Sequence, residues 1–124
     1  MIGYVTLGTN DLTRVLPFYD ALAAELGAGR FMEGEGFVAW GPPGGTPGIG
    51  LTKPFDGKPA TVGNGVMVAL AAKDPAQVDR LYALALAHGG TDEGKPGLRN
   101  GHFYAAYFRD PEGNKLNAYC MSAG

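Results

Sequence analysis

Tyr4-Val5-Thr6-Leu7-Gly8-Thr9-Asn10-Asp11-Leu12, with the run that continues to Gly27, decides the fold because its pattern returns 63 positions later. Val5 matches Val68, Leu7 matches Leu70, Asp11 matches Asp74 and Val15 matches Val78. Tyr19 matches Tyr82, Ala24 matches Ala87 and Gly27 matches Gly90, all without a gap. Such self-similarity marks a duplicated supersecondary unit. Val5 and Leu7 alternate as on a strand with one buried face. Val15, Tyr19, Leu22 and Leu26 then fall on one helical stripe, and Val78, Tyr82 and Ala85 repeat its rhythm. Asp11 and Asp74 stand where a carboxylate caps free helix amides, and Gly27 and Gly90 are suited to end the helices.

Outward from this repeat, Arg30 to Glu33, Phe37 to Trp40 and Gly48 to Lys53 read as short strands separated by glycine turns. The second half offers a weaker strand near Thr91 to Glu93, then His102 to Arg109 and Asn114 to Cys120, joined by Asp110-Pro111-Glu112-Gly113. The expected organisation is α+β: a βαβββ module over residues 1–53, a linker over 54–64 and a second module over 65–124. Pro17 falls early in the first helix and predicts at most a kink.

The 124 residues suit one domain of two fused halves. Net charge is −2 and the ten Lys and Arg are scattered, which argues against a nucleic-acid partner. The lone Cys120 excludes an intrachain disulfide and a cysteine-rich zinc site, as is usual for a reducing compartment. No apolar run reaches the length of a membrane span and no leader pattern opens the chain, so a cytoplasmic protein is expected. The glycine-rich stretch Gly44 to Gly50 lacks the spacing of a dinucleotide or phosphate loop.

Tyr4 to Leu12 followed by Phe18-Tyr19-Asp20-Ala21-Leu22 resembles the opening of glyoxalase and bleomycin-resistance proteins, in the vicinal oxygen chelate superfamily. The closing run Phe103 to Leu116, with its Asp110-Pro111-Glu112-Gly113-Asn114 turn, is similar to that family's final hairpin. The resemblance implies modules whose strands curl into a mixed-sheet half-barrel, helices outside and a cavity within. It also implies a metal held by His, Glu, His and Glu on the first and last strands of each module. Here Tyr4, Met67 and Asn117 occupy three of those positions, and no residue from Gly48 to Thr52 supplies an acid for the fourth. A thioether and a protonated phenol suit nitrogen- and oxygen-bound Zn²⁺, Ni²⁺, Mn²⁺ or Fe²⁺ poorly. The expectation is therefore no metal at these positions and no cofactor.

Period two adds Thr6 beside Tyr4, Ala69 beside Met67 and Tyr119 beside Asn117. These, with Trp40 and Phe37 as possible wall residues, form a neutral set able to stack on a planar or aromatic molecule. The same residues could instead fill a vestigial cavity. An enzymatic alternative is a lyase, isomerase or hydrolase acting on a glutathione-like or dicarbonyl substrate, with Tyr4 or His102 as general acid or base. A third reading is a structural dimer without ligand. Arg99 and Arg109 are candidate carboxylate binders, Arg109 alternatively pairing with Asp110 or Glu112. His88 reads as a helix-end residue, and Cys120 as a buried, unreactive thiol. By resemblance the chain is expected to form a homodimer, in some relatives with modules exchanged.

Overall fold

The computed structural model describes residues 1–121. In chain order its elements are β1 (Tyr4–Gly8), α1 (Leu12–Glu25), β2 (Gly29–Gly34), β3 (Phe37–Gly41), β4 (Gly48–Thr52), β5 (Val68–Ala71), α2 (Pro75–Ala87), β6 (Thr91–Arg99), β7 (Phe103–Arg109) and β8 (Lys115–Met121). This is βαβββ twice, an α+β architecture of two mixed sheets ordered β1-β4-β3-β2 and β5-β8-β7-β6. Each module opens with a parallel pair, β1 with β4 or β5 with β8, and the rest is antiparallel. Residues 53–67 carry no helix or strand, and Asn10 ties them to the first module through hydrogen bonds with both the N–H and the carbonyl of Ala60.

Both helices begin as the repeat implies. Asp11 accepts from the Arg14 amide at 3.3 Å and Asp74 from the Gln77 amide at 2.8 Å, so each carboxylate satisfies an amide that the first helical turn leaves free. The helix ends differ. Gly27 takes a left-handed φ of 72°, but in α2 that role falls to Gly89 at φ 93°, not to Gly90. The 63-residue offset thus holds at the caps and slips by one residue at the C-terminus. Gly90 is needed for space: a Cβ there would stand 2.7 Å from the carbonyl oxygens of both Ala85 and Arg109.

Strand β6 runs well past Glu93, through Pro96 to Arg99. It is an edge strand, where a missing amide hydrogen is tolerated, and two register shifts around Gly94 absorb the irregular sequence. Pro17 leaves α1 continuous.

The two sheets meet through one core lying on their helix-bearing faces. Leu7, Val38 and Leu51 from the first sheet join Val15, Phe18 and Leu22 of α1, Val78 and Leu81 of α2, and Ala106, Phe108, Leu116 and Ala118 of the second sheet. Phe18 and Phe108 meet edge to face across the module boundary, 6.2 Å between centroids. Each fully buried side chain of this kind contributes about 1.5–3 kcal/mol, so neither module's core is complete without the other's helix.

Candidate functional site

Because strands alternate, the face of each sheet turned away from this core is fixed. In β8, Leu116, Ala118 and Cys120 are buried toward α2, which sends Lys115, Asn117 and Tyr119 to the outer face. Burial raises the Cys120 thiol pKa, as does the Asp74 carboxylate, consistent with an inert thiol. Tyr107 on β7 pairs directly with Asn117, and Ala69 on β5 flanks it from the other side. Phe103 stacks on Tyr119 at 5.3 Å. The Arg99 guanidinium and the Lys115 ammonium lie 5.7 and 5.6 Å from the Tyr107 ring centroid. At the centre Asn117 is only 1% exposed, and neither its amide nitrogen nor its amide oxygen has a hydrogen-bond partner among the described residues.

A buried primary amide with both ends unsatisfied costs roughly 1–3 kcal/mol per group, and structures retain such a group where something else uses it.

The outer face of the first sheet carries Tyr4 and Thr6 of β1, Phe37 of β3 and the glycines of β4. Register pairs Tyr4 with Gly48 and Thr6 with Gly50, while Leu51 points into the core. The position left open in the sequence is therefore Gly48, Gly50 or Thr52, and the Thr52 hydroxyl already donates to the Lys53 carbonyl. Tyr4 meets Phe37 edge to face at 6.4 Å and is 55% exposed. A Cβ on Gly50 would lie 2.8 Å from the Phe37 ring, so glycine lets the aromatic lie flat on the sheet.

Trp40, expected in the pocket wall with Phe37, lies on the face of β3 opposite Phe37, where it borders the cleft beside β1 and β5. It is 2% exposed, packs 5.2 Å from Tyr19 and donates its indole N–H to Asp20. Arg30 beside Asp20 holds that carboxyl below its ordinary range against the opposing effect of burial, and the Trp40 hydrogen bond helps. Arg109 pairs with Glu93 and donates to the Gly113 carbonyl, not to Asp110 or Glu112, because the turn uses both acids elsewhere. His102 is exposed in the turn before β7. His88 caps α2, its Nδ1 2.9 Å from the Leu84 carbonyl.

The turn from Asp110 to Asn114 is the lock between modules. Asp110 accepts from the Tyr19 hydroxyl at 2.6 Å and from the Glu112 and Asn114 amides. Asn114 donates to the Gly8 carbonyl. Glu112 accepts from the Thr9 hydroxyl and the Asn10 and Asp11 amides, with Arg14 at 3.3 Å. Burial pushes the Glu112 carboxyl up, but these donors together outweigh it and leave its pKa below the ordinary value. Burial, then Asp110, raises the Tyr19 phenol pKa well above normal.

The expected binding residues thus form two sets: Tyr4 and Thr6 on the first sheet, and Asn117 and Tyr119 on the second with Met67 just before β5. No described hydrogen bond or aromatic contact joins the sets. β1 and β5 are unpaired edges of separate sheets. Beside them opens a cleft of about 860 Å³, lined by Met1, Ile2, Val5, Met67 and Leu70 with Leu22 of α1 behind. Sequence reasoning missed Tyr107 and Lys115. Period two from Asn117 would have found Lys115, whereas Tyr107 needs the β7–β8 register.

The model of the Glyoxalase/Bleomycin resistance protein/Dioxygenase superfamily matches residues 1–118. The chain belongs to that superfamily. Among solved structures, a glyoxalase/bleomycin resistance protein from Albidiferax ferrireducens T118 is 41% identical with a TM-score of 0.89, covering 98% of each chain. A superfamily enzyme from Burkholderia phytofirmans PsJN shares the fold at 20% identity and TM-score 0.76, covering 96% of this chain and 97% of its own. A hypothetical protein from S. aureus is 24% identical at TM-score 0.76, covering 95% and 91%. Comparison with curated proteins finds no match.

The metal that the superfamily resemblance implies does not fit this donor set. At the corresponding positions the chain offers a phenol, a thioether, an amide and either glycine or an engaged threonine hydroxyl. Among the described residues no three His, Cys, Asp or Glu side chains converge.

Proposed function

We propose that this superfamily member binds a small planar or aromatic molecule without a metal ion. The observation that carries the reading is the buried, unpartnered Asn117 amide, set among Tyr107, Tyr119 and Ala69 on the outer face of the second sheet. Aromatic faces supply stacking area, and a fixed amide supplies one donor and one acceptor.

The site is completed across a homodimer, the outer face of one protomer's first module standing against the second module of its partner. The unpaired β1 and β5 edges and the apolar cleft beside them support this arrangement, since open strand edges and exposed apolar surface favour association. Tyr4 and Thr6 then add to the ring contacts begun by Met67, Asn117 and Tyr119. Cytoplasmic placement accords with the single buried cysteine, and no helix among the described residues is long and apolar enough to cross a membrane.

Titration calorimetry of the full chain with 2-naphthamide, run beside sedimentation equilibrium, tests this. Saturable binding by a dimer, lost in Asn117→Leu, is the expected result. Absence of saturable binding by either 2-naphthamide or 2-naphthoate, or binding unaffected by Asn117→Leu, overturns it. The catalytic alternative has less support: no described hydrogen bond positions the Tyr4 phenol, and His102 is an exposed turn residue whose side chain has no described hydrogen-bond partner.

A further inference from the structure

We infer that the ligand carries an anionic group, seated between Arg99 and Lys115 at the edge of Tyr107, with its planar body extending over Asn117. The inference rests on the small-molecule reading above and adds the chemical class. Three cations stand on the outer face of the second sheet, and their partners differ. Arg109 is neutralised by Glu93. Arg99 donates only to backbone, the Gly97 and Lys95 carbonyls at 2.7 Å each. Lys115 has no hydrogen-bond or acidic partner among the described residues, its ammonium lying over Tyr107.

In a chain with more acids than bases, two half-buried cations left without a carboxylate on one face form a local excess of positive charge. An aromatic face holds a cation more weakly than a charge-assisted hydrogen bond does, so an arriving carboxylate or phosphoryl oxygen has a stronger interaction to offer. The ring also keeps both cations ordered, which lowers the conformational cost of binding an anion.

Geometry makes the two features one site. Tyr107 is the cross-strand partner of Asn117, and Lys115 precedes Asn117 by two on the same strand and face. An anion held by either cation lies beside Tyr107, the cross-strand neighbour of Asn117, so an attached ring reaches toward the orphaned amide. Where the superfamily resemblance expects a glutamate, the neutral Asn117 removes the charge that would repel such a ligand.

The test compares 2-naphthoate with its neutral isostere 2-naphthamide on the full-length protein by titration calorimetry. The naphthoate is expected to bind about tenfold tighter at low salt, with the advantage shrinking as ionic strength rises. The Arg99→Gln/Lys115→Gln variant should bring the two affinities together, with its circular dichroism and urea midpoint reporting that the fold is intact. Lys115→Arg should keep the preference. Equal affinity for both probes in the native protein, or a preference that survives the double variant, overturns the anionic class while leaving the planar-ligand reading standing. Failure of both probes to bind overturns the two together.

Discussion

The inner faces of the two modules repeat, and their outer faces do not. Facing the shared core, Leu7 and Leu70, Val15 and Val78 are identical pairs, and Asp11 and Asp74 cap their helices alike. Facing outward, the same offset sets Tyr4 against Met67 and Thr6 against Ala69. The first outer face is uncharged and lined with glycine, whereas the second carries Arg99, Lys115 and a buried amide. One core must satisfy both halves at once, so its positions are constrained by packing; the outer faces answer only to what they contact. Duplication built the scaffold, and divergence on one side of it made the candidate site.

The largest effect should come from breaking the shared core. Phe108→Ala removes the ring that meets Phe18 across the boundary and should cost about 3–5 kcal/mol in urea denaturation. Because the core is common to both modules, the native chain should unfold in one transition whose midpoint is the same by tryptophan fluorescence, reporting Trp40, and by circular dichroism. Two separated transitions would mean that the modules stand alone.

Loosening the lock should come next. Glu112→Gln keeps the shape but weakens four hydrogen bonds and an ion pair, for a loss of about 2 kcal/mol at neutral pH. The sign with pH follows from the lowered carboxyl. Its contribution is fully present above the ordinary value of 4.5 and is lost as pH falls through the lower folded value. Denaturation midpoints measured from pH 7 to pH 3 should therefore fall more steeply for the native chain than for Glu112→Gln.

The outer faces should behave in the opposite sense. Asn117→Leu replaces an unsatisfied buried amide with an apolar side chain of similar volume and should stabilise the fold by about 1 kcal/mol while abolishing binding of planar probes. Tyr4→Ala touches a half-exposed ring and should change stability by less than about 0.5 kcal/mol, with its effect confined to probe affinity in the dimer.

Much of this was legible in the residues. The ungapped repeat set the strand-then-helix opening of each module and both N-caps, and alternation from Asn117 placed Cys120, because caps, alternation and helical stripes are local. The turn at Asp110-Pro111-Glu112-Gly113-Asn114 was visible as a turn, but not as a lock, since Tyr19, Thr9 and Gly8 lie about a hundred residues away in sequence. Trp40 shows the limit of composition: an aromatic on a short strand suits either face, and the phase set by Val38 sends it to the core. Tyr107 stayed hidden because only the strand register places it beside Asn117. The separation of Tyr4 from Asn117 is likewise a matter of how sheets meet, which alternation within a strand does not encode.

Recognition at these faces should need no metal ion. This is tested most directly by dialysing the full chain against Zn²⁺, Ni²⁺, Mn²⁺ and Fe²⁺, measuring retained metal by mass spectrometry, and titrating 2-naphthoate before and after chelation. No stoichiometric ion and the same affinity in both titrations are expected. One divalent ion retained per chain and released by substitution of Tyr4 or Asn117, or binding that vanishes with the chelator, would contradict this.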